Sequence, residues 1–463
     1  MARGKKAAKE LSPEEKLQQA LVPVEEQPYP IPENWCWANL GAYIDFATDY
    51  VANGSFASLK ENVQIYKEEN YALMVKTADF ANGFSKSLTY TDKQGYDYLD
   101  KSALHGGELI LSNIGSIGKV FRVPFLNRPM TLASNSIMIK CYNEEDYDWL
   151  YYFFLSPIGL EELLSITTGT AVLKFNKTDL KTIALPVPPL HEQRRIVDRI
   201  KSLFAKLDEA KEKAQAVVDG FELRKSAILH KAFTGELTER WRKEHGVGME
   251  SWDNRTLTSV CRSIFDGDHM PPPKSENGIP FLVISNVNDG HLSFENTRFV
   301  PQEYYDSLSE TRKPQIGDVL YTLVGSYGIP VVVDDERPFC FQRHMALLKP
   351  KFINTYFLWY LLQSQEMFTK ASEIATGTAQ LTVPIKGLRM IEFLCPSKNE
   401  QTEIVCILDS LLAQDQQAKE AAEAVLSQID TMKKAILARA FRGELGTNDP
   451  AEESAVELIK AVL

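Results

Sequence analysis

The sequence predicts an α+β chain of two similar mixed α/β domains separated by two long helices. These helices pair with each other as an intrachain coiled coil, and the whole forms a pseudo-two-fold internal repeat. Three observations predict this. A stretch from Pro186 to Leu237 occurs again as Pro396 to Leu445. Both copies carry apolar residues at a coiled-coil period. Each copy follows a unit of about 150 residues with the same order of strands, turns and helices, a size that suits one domain.

The repeat is legible residue by residue. Glu192 and Gln193 recur as Glu400 and Gln401, and Ala227, Ile228 and Leu229 as Ala435, Ile436 and Leu437. Gly235, Glu236 and Leu237 recur as Gly443, Glu444 and Leu445, all at an offset of 208. A period this long lies outside the usual solenoid range of about 20–50 residues, so it reads as a duplicated half-protein.

The first seam runs Ile196, Ile200, Leu203, Leu207, Ala210, Ala214, Val217 and Phe221, skips Arg224 and resumes at Ile228. The second runs Ile404, Leu408, Leu411, skips Asp415, then continues Ala418, Ala422, Val425, Ile429 and Met432. Alternating steps of four and three are the signature of a coiled coil. Two stripes of equal length favour burial against each other. The alternatives are packing of each helix on its own domain, or homodimerisation.

Taken in order, residues 1–30 are expected to be a poorly ordered extension, with a short helix possible over 13–21. Domain one spans 31–188 and opens near Trp35. Strands are expected at Tyr71–Lys76, Glu108–Ser112, Lys119–Val123 and Ser136–Lys140, with a turn at Asn113–Gly118 and a helix at Asp148–Leu155. The first long helix and spacer take 189–248. Domain two spans 249–396, with strands at Ile279–Ser285, Asp318–Thr322, Pro330–Val333 and Met345–Lys349 and a helix at Tyr356–Leu362. Thr168-Gly-Thr-Ala171 recurs as Thr376-Gly-Thr-Ala379. The second helix takes 397–445, and 446–463 is a tail with an amphipathic helix. Residues 45–70 and 80–105 lack clean counterparts in the second domain, so the halves diverge where loops are expected.

Composition narrows the classes of function. The net charge of −11 argues against a surface coated in basic residues, though not against a local basic groove. No apolar run is long enough to span a membrane, and the basic N-terminus lacks the apolar core of a secretory signal. The six scattered cysteines never form CxxC, which fits a reducing, cytoplasmic setting. There is no Walker-type phosphate loop, no GxSxG, and no Asn/Asp-Pro-Pro-aromatic motif of an adenine methyltransferase. No catalytic residue is expected.

The duplicated helix openings Pro188–Gln193 and Pro396–Gln401, the closings Ala227–Leu237 and Ala435–Leu445, the Gly-Ser turns and the paired Thr-Gly-Thr-Ala segments resemble the specificity subunit of type I restriction–modification systems. Asp266–Lys274 with Gly278–Phe281 adds to the likeness, which covers roughly residues 30–445. The resemblance implies two target-recognition domains separated by antiparallel helices. Each domain would read one half of an interrupted double-stranded DNA site. The helices would set the gap and dock two methyltransferase subunits, and restriction–motor subunits would join them. It implies no cofactor on this chain, S-adenosylmethionine in the methyltransferase partners, and ATP with magnesium in the motor partner. The other reading is a non-catalytic coiled-coil scaffold with two protein-binding domains.

Base readout needs side chains with paired donors and acceptors. The candidates in domain one are Lys76, Asn113, Ser116, Ser134, Asn135 and Lys174. In domain two they are His269, Lys274, Ser326, Tyr327, Gln342, Arg343, His344 and Gln380. The plainer alternative is that these residues only build tight turns. Asp266, Asp268 and His269 look like metal ligands, but no second cluster completes a shell. An aspartate-stabilised turn before the three prolines at 271–273 is the better reading, and no metal is expected.

Overall fold

The structure is a computed structural model that describes residues 11–463 except 269–271, 288 and 379; the side chain of residue 145 is also outside the description. The chain forms two compact units. One reaches to Glu212 and takes in Val425–Leu463; the other is Lys213–Ala424. Each unit thus holds one domain, the opening of one long helix and the closing of the other.

In the first unit the main sheet is antiparallel, in the order Ile44–Asp49, Ser136–Cys141, Leu109–Ser112, Val120–Arg122. Its central strand is apolar on both faces because both are covered. Ile137 and Ile139 enter the core shared with the helices, while Met138 faces a second core with Leu73, Val75 and Leu132. Those last three belong to a smaller sheet ordered Tyr90–Thr91, Ala72–Val75, Met130–Leu132, Ala103–Leu104. A ribbon of Cys36–Asn39 with Ala184–Val187 delivers the chain to the first long helix.

The second unit repeats the plan. Its main sheet is ordered Cys261–Asp266, Met345–Pro350, Val319–Thr322, Pro330–Val332. Ala346 and Leu348 face one core, Met345 and Leu347 the other. The ribbon is Asp253–Thr256 with Glu392–Cys395. Strand Ile44–Asp49 is the counterpart of Cys261–Asp266, and both carry a bulge at their second residue. The divergent stretch therefore starts after Asp49, later than residue 45. The sequence obscured this because Ile44–Asp49 has one clean apolar face only.

The recurring residues of the helix openings build one joint per unit. Glu192 is fully buried and accepts from the Trp35 indole at 2.7 Å and from Asn448 Nδ2 at 2.9 Å. Glu400, equally buried, accepts from the Trp252 indole at 3.0 Å, from Thr238 at 2.7 Å and from Arg242 at 2.7 Å. Gln193 and Gln401 each donate to the carbonyl five residues earlier, at Pro188 and Pro396, and so cap the turn into the helix. Gly235 and Gly443 end the helices in left-handed conformation, where glycine carries no side-chain penalty. The repeated motif is a buried polar lock between a domain and both helices.

The helices correct two expectations. The first is not continuous: Leu190–Asp219 stops at Gly220, and Phe221–Phe233 follows. The second runs unbroken from Lys398 to Ala440. The seam is also shorter than its periodicity predicts. Ile196 and Ile200 are buried in the first domain's core and Ile404 and Leu408 in the second's, so packing on the domain takes the openings. Ala418, Val425 and Met432 are exposed. A straight helix turns by 3.6 residues while the seam counts 3.5, and the stripe drifts off the contact line. The helices pair antiparallel as an intrachain coiled coil. In the second unit Lys419 lies over the Phe221 ring at 4.6 Å, and Arg224 meets Asp415 at 2.7 Å. In the first, Lys433 lies over Phe204 and pairs with Asp208.

The extension is ordered from residue 11 onward, which corrects the expectation over 11–30. Ser12 caps helix Pro13–Ala20 in a capping box, Val22 is buried, and the Tyr29 hydroxyl donates to the Phe441 carbonyl at 2.8 Å. The tail helix Ala455–Val462 buries Ala455 and Ile459 in the same core and is tied by Arg195 to Glu452 at 2.7 Å.

Candidate nucleic-acid interface

Each unit gathers three loops at one end of its main sheet. In the first, Asn113 donates its backbone N–H to Asn135 and accepts from Phe175 N at 3.1 Å. Gly115 N donates to the Leu173 carbonyl at 2.9 Å. Thr168 and Lys174 exchange both backbone hydrogen bonds, at 2.8 and 3.0 Å, and close a tight loop. Gly169 makes that loop possible: its φ is +103°, and a Cβ there would lie 2.5 Å from the Val172 carbonyl oxygen.

The second unit makes the same bonds with partly different side chains. Leu323 N donates to the His344 carbonyl at 2.8 Å, Val383 N to Leu323 at 2.8 Å and Gly325 N to Leu381 at 3.0 Å. Thr376 and Thr382 close the loop with two bonds of 2.8 Å. Thr168-Gly-Thr-Ala171, and Thr376–Thr378 in the second unit, thus belong to a loop pinned beside the Gly-Ser turn and held by main-chain bonds.

Of the first-domain candidates, Asn113, Ser116, Ser134, Asn135 and Lys174 come together. Ala133 N bonds to Val75 O at 2.9 Å, which sets Lys76 beside Ser134. Ser116, Ser134, Asn135 and Lys174 are exposed. Asn135 is left-handed at φ +69°, the conformation in which asparagine is favoured. Asn113 spends its Nδ2 on the Phe175 carbonyl at 3.1 Å and so positions the loop. Lys76 reaches the Ser87 carbonyl at 2.9 Å while staying partly exposed.

Among the second-domain candidates, Ser326 and Arg343 are exposed, and Gln380 lies over Gly325. His344 is partly buried. Burial first, and Arg343 second, hold its pKa below the usual histidine value, so the ring is neutral near pH 7, with one nitrogen able to donate and the other to accept. Gln342 is half-buried, and its backbone N–H goes to Leu282 at 3.1 Å. Tyr327 stacks on Phe368 with centroids 5.5 Å apart and donates to Ser372 at 3.0 Å, which ties it to its own fold. Lys274 is exposed on a separate loop joined at Ser275 to Phe299. His269 lies outside the described residues.

Asp266 and Asp268 face Arg312 at 3.9 and 4.0 Å, and Asp268 accepts from the Tyr304 hydroxyl at 3.2 Å. Among the described residues no group of three or more His, Cys, Asp and Glu is placed to hold a metal ion. The six cysteines are all free thiols. No helix of the described chain is long and apolar enough to cross a membrane.

Sequence reasoning searched these loops for polar residues only. It passed over Ile114, Val172, Leu173 and Leu381, which are large, apolar and exposed. The signal was present, since a leucine stands at the same place in both copies of the loop.

The pattern of the type I restriction modification DNA specificity domain matches residues 51–218 and again 249–426. The specificity subunit of type I restriction enzyme EcoBI from Escherichia coli is 26% identical over 324 residues, covering 67% of this chain and 68% of that one. The specificity subunit of MjaVIII from Methanocaldococcus jannaschii is 25% identical over 442 residues, covering 90% and 94%. The HsdS subunit from Thermoanaerobacter tengcongensis shares the fold with a TM-score of 0.63 at 21% identity, over 91% of this chain and 100% of that one.

Proposed function

Because the chain belongs to the type I restriction modification DNA specificity family, we propose that it is the DNA-reading subunit of a type I restriction–modification complex. Each domain reads one half of an interrupted site in duplex DNA. The observation that carries this is the doubled loop cluster: one main-chain scaffold, present in both units, on which Ser134, Asn135 and Lys174 of the first are replaced by Arg343, His344 and Thr382 in the second. Fixed loops with variable decoration suit two readers of two different half-sites.

Within this reading Ser116, Ser134, Asn135 and Lys174, and likewise Ser326, Arg343, His344 and Gln380, face base edges or phosphates. The paired helices set the gap between half-sites and dock two methyltransferase subunits, with restriction–motor subunits joining them. The chain performs no catalytic step. S-adenosylmethionine belongs to the methyltransferase partners, ATP and magnesium to the motor partner, and the setting is cytoplasmic.

The test is a methylome. The chain is co-expressed with the methyltransferase encoded beside it, and modified bases are mapped by single-molecule sequencing. The expected result is an interrupted motif that vanishes when this chain is omitted. An active methyltransferase that binds the chain yet modifies no such motif would overturn the reading.

A further inference from the structure

Both units hold a leucine outward at the same point of the same loop. Leu173 is 39% exposed and Leu381 45%. The main chain at each is pinned, because its carbonyl accepts the Gly115 or Gly325 N–H at 2.9 or 3.0 Å. In the first unit Val172, its chain neighbour, and Ile114, bridged to the next residue Lys174, are also exposed, at 55% and 38%. Exposed apolar side chains inside a polar rim mark a contact site. The rim here carries Ser116, Ser134, Asn135 and the exposed Lys174, hydrogen-bonding and cationic groups that complement a nucleic acid.

The apolar group that the major groove displays on its base edges is the C5-methyl of thymine. We propose that Leu173 packs on a thymine methyl in the half-site read by the first domain, and that Leu381 does the same in the other half-site. This deepens the DNA-reading assignment above and rests on it. Around the leucines the exposed residues differ, Ser134 and Asn135 against Arg343 and His344, and Lys174 against Thr382, while Ser116 and Ser326 also recur. The leucine is the large apolar side chain that both loops share, and it points to an apolar feature that both half-sites have in common, an A·T pair. The leucines select for that pair, while the polar residues around them supply what differs.

The experiment uses the full chain in complex with its methyltransferase, and duplexes carrying the mapped target. Each thymine is replaced in turn by deoxyuridine, which keeps the base pairing and removes the methyl. For the unaltered complex, one replacement per half-site is expected to weaken binding about three- to fivefold, the scale of one buried methyl group. With Leu173→Ala, cognate binding weakens and the first half-site becomes indifferent to deoxyuridine, while the second keeps its penalty. Leu381→Ala shows the converse. The retained half-site reports that each variant is folded. The proposal is overturned if no replacement weakens the unaltered complex, if the penalty survives in the leucine variants, or if either variant loses both penalties together. Failure of the underlying reading looks different: the unaltered complex would then not distinguish the mapped target from a scrambled duplex.

Discussion

Arg224 and Asp415, the two polar interruptions of the apolar seams, meet each other. Arg224 Nε lies 2.7 Å from Asp415 Oδ1, and its Nη2 donates to the Val217 carbonyl at 2.8 Å. The break at Gly220 makes room, since a Cβ there would stand 2.6 Å from the guanidinium. Each interruption costs apolar burial alone, and together they form one charged pair whose aspartate is only 12% exposed. A polar pair of this kind specifies register in a coiled coil.

Arg224→Leu leaves that carboxylate poorly solvated without a partner. The expected loss is about 1–2 kcal/mol, below the cost of breaking a fully buried pair because the arginine is partly exposed. Adding Asp415→Leu should recover most of the loss. Denaturant midpoints of the single and double variants check this, and a double variant worse than Arg224→Leu contradicts it.

The two joints should respond unequally to the same substitution. Glu400→Gln removes the countercharge of Arg242, which is itself buried, and is expected to cost about 3 kcal/mol or more. Glu192→Gln faces the neutral donors Trp35 and Asn448 and should cost about 1 kcal/mol. Thermal unfolding of the two variants decides; equal shifts would mean that the charge on Arg242 does not matter.

Gly169→Ala places a Cβ against the Val172 carbonyl in a loop that needs a positive φ. Strain of about 1–3 kcal/mol is expected to open the loop and leave the rest of the domain folded. Methylome mapping should then show relaxed sequence in one half of the motif. Relaxation of both halves, or of neither, would detach this loop from base reading.

An insertion of four residues after Lys206 lengthens one long helix and touches no reading loop. The expected outcome is a changed gap between unchanged half-sites. Changed half-site sequences with the old gap would defeat the idea that the helices act as a ruler.

Much of the fold was legible because duplication prints each tertiary constraint twice. Glu192 and Glu400, or Gly235 and Gly443, stood out by recurrence before their contacts were known. The turns at Asn113–Gly118 and around Gly325 were legible from glycine placement. Less legible were residues whose role is set by exposure. Leu173 and Leu381 look in sequence like core leucines, and Tyr327 looks like a free reader, although its ring stacks on Phe368.

By itself the sequence determined the duplicated plan, the two helices and the identity of the repeated locks, because periodicity and recurrence are properties of the chain. Tertiary structure decided which seam residues are buried, what Glu192 and Glu400 hold, and that Arg224 answers Asp415. Those depend on which surfaces meet. Two positions 191 residues apart in the chain acquire a shared energy only when folding brings their charges within 3 Å.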